Sequence, residues 1–281
     1  MSERPGGYGR WDIWMSKRAR PKDPWEPPVN LGAGINSAGD NVPGSISSDG
    51  LTLYLFATTG ICADLYTATR PARDAPWGPR VNMGPVLNRP DEDGGYWWGN
   101  DAAPIISPDD LELFFMSWRP GAIGLADIYV SERATPADPW GPPRNLGPTI
   151  NTAGTEGPTA ISPDGLILFI TAESRRGGSG GFDAWMIRRP YKGAAWSEPV
   201  NLGPSFNTPG GESLGSLSPD GKWCYFAELT WAGVATRPGG YGGSDLWMAP
   251  VTPLVDFNSD GKIDATDLAL PANSSGKPPG R

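Results

Sequence analysis

The sequence predicts an all-β chain of four-stranded antiparallel sheets copied around an axis, a β-propeller, and three observations point there. Glycine (39) and proline (32) are abundant and come with 13 tryptophans, a mixture suited to short strands, tight turns and aromatic packing on pleated surfaces. A short phrase recurs as "DIW" at Asp12, "DLY" at Asp64, "DIY" at Asp127, "DAW" at Asp183 and "DLW" at Asp245, at intervals of 52, 63, 56 and 62 residues. Three further phrases follow the first four copies in unvarying order. Self-similarity at this period marks an array of supersecondary units, each burying its apolar faces against the next.

Each unit reads as four strands. The phrases "PWEPPVNLG", "PWGPRVNMG", "PWGPPRNLG" and "AWSEPVNLG" contain Trp25, Trp77, Trp140 and Trp196. Asn-containing turns come next ("INSAGD", "LNRPDED", "INTAGTE", "FNTPGGE"), then "SSDGLTLYLF", "SPDDLELFF", "SPDGLILFI" and "SPDGKWCYF". In the last set Pro presets φ and Gly takes the later turn position. In the fourth unit the innermost strand ends at Ser162, and "LILFI" (Leu166 to Ile170) is apolar enough to be buried on both faces. "FDAWMIRR" (Phe182 to Arg189) alternates, as a half-covered strand does. "WSEPVNLG" is read as the outer strand, where an edge tolerates proline. One residue per repeat in the "D-I-W" Asp and the "P-W" Trp points to turn capping and packing.

Composition excludes several functions. A formal charge of −8 argues against a basic nucleic-acid surface. No 18-residue apolar run provides a membrane span, and "MSERPGGYGR" is not a secretory signal. Zero histidines remove Ser-His-Asp and Cys-His catalysis and imidazole-bound metals. Cys62 and Cys224 cannot make a disulfide framework and read as small buried hydrophobes.

The phrase order, with "SERPGGYGRWDIW", "PWGPPRNLGPTINT" and "SPDG", resembles the TolB-like, WD-repeat-like propeller repeats over residues 3 to about 250. That resemblance implies a location in the bacterial envelope or exterior and a role as a platform for a protein or glycan partner. Four inner-strand phrases against five "D-[ILA]-[WY]" phrases imply five blades, incomplete where the chain ends meet. A natural start upstream is the expectation; the alternative is a four-bladed ring whose terminal strands overlap. A third arrangement is self-association, the open edge pairing with another chain, since an unpaired strand edge invites one.

Residues 251–281 read as a separate tail. "DFNSDGKIDATD" places Asp256, Asn258, Asp260, the Lys262 carbonyl, Asp264 and Asp267 at positions 1, 3, 5, 7, 9 and 12 of a calcium loop, with Gly261 at the sharp turn. Asp at position 12 and the preceding "VDFN" resemble half of a dockerin repeat, and calcium is the cofactor expected there.

Functional candidates lie on the rim shared by the loops entering the inner strands and those between strands two and three. The first set carries Asp40, Asp91, Glu92, Asp93, Glu156 and Glu212; the second carries Arg4, Arg119, Arg175, Arg176 and Arg237. These are read either as a polar ligand-binding rim or as a repeated tie of Arg to carboxylate or backbone. Two insertions break the repeat, with Tyr96, Trp97 and Trp98 in one and Trp231 in the other; such aromatics stack on sugars, anchor a protein partner or plug the ring's mouth. A non-catalytic binding or scaffold propeller is therefore expected. The alternative is a polysaccharide-acting enzyme pairing Asp93 or Asp101 with Glu156 or Glu212, two carboxylates being the glycosidase requirement.

Overall fold

The computed structural model describes residues 4–20, 22–60, 62–89, 101–204, 206–218, 220–228 and 245–250. Among them the regular elements are β-strands throughout, arranged as five consecutive sheets. Three sheets are complete. The first is β3 (Asn41–Ile46), β4 (Thr52–Thr59), β5 (Cys62–Thr69) and β6 (Val81–Asn82). The second is β7 (Asp101–Ile106), β8 (Glu112–Ser117), β9 (Asp127–Glu132) and β10 (Arg144–Asn145). The third is β11 (Glu156–Ile161), β12 (Ile167–Glu173), β13 (Phe182–Arg188) and β14 (Val200–Asn201). Each is a meander in which chain order is spatial order, the four-stranded blade of a β-propeller. Before them, β1 (Trp14–Met15) pairs β2 (Val29–Asn30); after them come β15 (Glu212–Leu217), β16 (Trp223–Glu228) and β17 (Leu246–Pro250). The five "D-[ILA]-[WY]" phrases thus fall one to a sheet, the first sheet holding strands three and four and the last holding strands one to three.

The chain divides into two compact units, residues 1–159 and 160–281, with the boundary inside β11. In the first unit β4 shows why its sequence is almost wholly apolar. Leu53, Leu55 and Ala57 enter a cluster with Ile13, Ile35 and Tyr66, while Tyr54 and Phe56 enter another with Leu65, Leu113 and Phe115. Alternate residues of one strand thus feed two cores, because the sheet is covered on both faces. In the second unit Ile167 and Phe169 of β12 meet Met186, Phe206, Leu214 and Phe226. Where β3 and β7 run together, Gly44 is obligatory: a Cβ there would sit 2.2 Å from the Pro104 carbonyl oxygen.

Two strand expectations are corrected. The third strand is not half-covered: β13 is buried at its five central positions, consecutive residues of a pleated strand on alternate faces. The outer strand is only two residues in each complete sheet (Val81–Asn82, Arg144–Asn145, Val200–Asn201), because the proline-rich run before it supplies too few N–H donors for a ladder.

Candidate functional site

Most of the recurrent polar residues enter a hydrogen-bond relay of Asp and two Asn, complete in the β1–β2 sheet and the first two four-stranded sheets. In the second complete sheet Asp127 accepts the Ile123 and Gly124 N–H groups and the Asn145 side-chain amide at 2.6 Å. Asn145 in turn accepts the Gly147 N–H and the Asn151 amide, while Asn151 accepts the Ile128 N–H and donates to the Ile128 carbonyl. Asn36, Asn88 and Asn207 make the same bridge to Ile13, Leu65 and Ala184. The Trp of each "P-W" phrase carries an arginine on its face: Arg18 on Trp25, Arg70 on Trp77 and Arg133 on Trp140, each at 4.2 Å, and Arg189 on Trp196 at 4.4 Å. Both residue types are fold determinants, as one copy per blade implies.

The rim acids open the inner strands. Asp101, Glu156 and Glu212 are the first residues of β7, β11 and β15, all 0% exposed. Glu156 is held by the Thr152 N–H at 2.9 Å and by its hydroxyl; Glu212 is held likewise by the Thr208 N–H at 3.0 Å and hydroxyl. Asp101 accepts the Arg89 N–H at 2.8 Å and pairs with the Arg119 guanidinium at 2.7 Å, while Arg119 also donates to the Leu87 carbonyl. Arg119 stacks on Tyr129 and Arg175 on Trp185, with 4.9 and 5.6 Å to the ring centroids. Asp40 faces Arg10 at 3.7 Å. The structure therefore brings Asp101 and Arg119 together and fastens Glu156 and Glu212 into their own turns. Tyr96, Trp97, Trp98, Trp231, Arg237 and the acids 91–93 lie outside the described residues, as do Asp256, Asn258, Asp260, Lys262, Asp264 and Asp267.

At the opposite end of the blades, where β3 turns into β4 and β7 into β8, a cavity of about 440 Å³ opens within the first unit. Thr52, Tyr54 and Thr67 of the first complete sheet form one wall with Ser47, Asp49 and Met83; Asp110, Arg133, Pro136 and Trp140 form the other. Asp110 adopts φ +60°, where the sister turns have Gly50, Gly165 and Gly221 at +76°, +73° and +68°. Its Oδ2 accepts the Ser48 hydroxyl at 3.1 Å, and its Oδ1 is buried with no partner. Burial raises the Asp110 pKa, Asp49 nearby adding to the rise. Asp49 is lowered instead, first by the Ser47 hydroxyl and then by the Leu51 N–H. Burial also raises the Tyr54 hydroxyl, against the pull of Arg133. Of these residues the sequence singled out Asp110 alone, in "SPDD", where the other three turns read "SSDG" or "SPDG".

No family model matches the chain, and no curated protein matches it. Solved structures do. TolB from Acinetobacter baumannii is 16% identical over 82% of this chain and 45% of its own, with a TM-score of 0.48. An α-L-arabinofuranosidase from Lactobacillus brevis is 14% identical over 80% of this chain and 78% of its own, with a TM-score of 0.49. An exo-β-1,3-galactanase from Clostridium thermocellum is 12% identical over 88% of this chain and 54% of its own, with a TM-score of 0.55. The chain thus spans about half the length of the TolB and galactanase structures it matches. At these identities the likeness establishes the fold, a β-propeller, and nothing of the chemistry.

Proposed function

We propose that this chain is a non-catalytic binding module of the cell envelope or exterior, whose partner is a protein or a glycan. One observation carries the reading: Asp101, Glu156 and Glu212, the carboxylates that open the inner strands, are each already committed to a local donor. A glycosidase needs one protonated and one ionised carboxylate facing a common space at roughly 5 to 10 Å. Asp101 is neutralised by Arg119 instead, and Glu156 and Glu212 cap the turns that precede them. Carboxylates spent on local donors in this way are not free to face a glycosidic oxygen across a common space. The test is incubation with a panel of polysaccharides, following binding by affinity electrophoresis and turnover by reducing-end release. Retention without release is the expected outcome. Release that disappears in Asp101→Asn would replace this reading with the hydrolase.

Calcium in the loop 256–267 belongs to the same proposal, since millimolar calcium outside the cytosol suits a loop of six oxygen ligands. Calorimetry of the whole chain with calcium should give a saturable heat, absent from the Asp256→Ala, Asp260→Ala variant. Equal heats from the two proteins would remove calcium from the account.

A further inference from the structure

Functional sites in repeat proteins stand out where one copy departs from its sisters, and three departures, Thr52, Thr67 and Asp110, meet in one cavity beside Tyr54, whose counterpart in β16 is Tyr225. The ladder register aligns them. Thr52, Tyr54 and its cross-strand partner Thr67 occupy the places of Glu112, Phe114 and Val130 in the second complete sheet, and of Ile167, Phe169 and Met186 in the third. In the third sheet these places are wholly apolar, with Ile167, Phe169 and Met186 each 1% exposed in the core. The fold can therefore fill them with hydrocarbon, and the first complete sheet fills them with hydroxyls. The third departure is Asp110, at a left-handed turn position that glycine fills in the sister turns. Left-handed geometry is costly for residues other than glycine, though Asp tolerates it better than most.

We propose that this cavity binds a neutral saccharide, one or two sugar rings of a glycan partner; the proposal rests on reading the chain as a binding module and names the site and ligand class. Its volume of about 440 Å³ lies within the rough range of 300 to 1,000 Å³ for small-molecule sites. The walls present hydroxyls, which give and accept hydrogen bonds, and carboxylates, which only accept. Asp49 and Asp110 bring carboxylates to the cavity lining, acceptors for the hydroxyls of a sugar. An anion would meet Asp49 and Asp110, while the local guanidinium, Arg133, is already spent on the Trp140 face and the Asp110 carbonyl. An apolar ligand would strand the three hydroxyls. Met83, Pro136 and the edge of Trp140 supply the apolar patch on which a sugar's C–H face rests.

The experiment is calorimetric titration of the full chain, in the presence of chelator, with glucose, galactose, mannose, xylose, arabinose, cellobiose and galactobiose. At least one of these gives a saturable heat. Two variants use residues that sister blades already carry: Asp110→Gly, and Tyr54→Phe with Thr67→Val. Both should keep the far-ultraviolet spectrum of the parent and melt no lower than it, while weakening the sugar by at least about tenfold, the loss expected for a hydrogen bond to a charged or buried group. No saturable heat from any of the seven sugars overturns the proposal. So does binding undiminished in both variants, which would leave the binding-module reading standing with its site elsewhere. Reducing-end release would overturn the module reading itself, whatever these variants do.

Discussion

Asp110 is where a single side chain says most. Its carboxyl group titrates above the ordinary carboxylate range because burial penalises the charge, and Asp49 adds repulsion while the Ser48 donors and Arg133 oppose the rise. A carboxyl whose folded pKa exceeds its unfolded one binds its proton more tightly in the folded state. Its ionised form therefore costs stability above the folded pKa, and the cost fades as pH falls toward the unfolded value. Asp110→Asn keeps an acceptor for Ser48 and tolerates the left-handed turn, so it should be more stable than the parent at pH 7. Urea denaturation at a series of pH values should show that advantage shrinking as the solution is acidified through the Asp110 pKa. An advantage that grows on acidification would reverse the assignment. Ser47 acts oppositely on Asp49: its hydroxyl favours the ionised form at 2.6 Å, in the β3–β4 turn, while Asp110 stands in the β7–β8 turn on the same cavity.

At the scale of strands and turns, the relays explain how so much irregular chain stays ordered. Asn151 is 1% exposed and joins the β9 backbone at Ile128 to Asn145 at the end of β10. Asn151→Ala strands the buried Ile128 N–H, while the Ile128 carbonyl keeps its second donor, the Leu146 N–H. The substitution should destabilise the fold by about 1 to 3 kcal/mol. A midpoint in urea equal to the parent's would show the bridge to be incidental. The pair linking β7 to the β8–β9 connection behaves differently. Arg119→Ala leaves Asp101 charged and buried and should cost about 3 to 5 kcal/mol, whereas adding Asp101→Asn should recover a good part of it. Additive losses in the double variant would mean that the two groups do not act as a pair. These relays were partly legible in advance. One Asp and one Trp per repeat announced structural duty, but the second Asn of each relay needed the fold, since it reaches back 23 residues to a strand backbone. The two-sided burial of β13 escaped the pattern for a similar reason: Asp183 is polar, yet buried inside a turn-capping bond.

Over the whole molecule, phrase counting fixed the blade boundaries because turn chemistry is local, and each "SPDG" copy closes the same hairpin through its Ser and Asp. The cavity was not legible that way. Thr52, Tyr54, Thr67 and Asp110 converge only once strand register and the neighbouring blade are known, and no spacing along the chain encodes that. Net charge then separates the two partner classes left for a binding module. At −8, with a sequence pI near 4.7, the chain attracts a basic protein through forces that salt screens over about 8 to 10 Å at 0.1 to 0.15 M. A neutral sugar held by hydroxyls and a carboxylate in a cavity gains nothing from that long-range field. Its Kd should therefore stay within about twofold between 50 and 500 mM sodium chloride, since the screened field does not act on an uncharged ligand. Measured on the tightest sugar of the calorimetric panel, a Kd that rises steeply with salt would point to charge as the recognised feature and return the search to the rim.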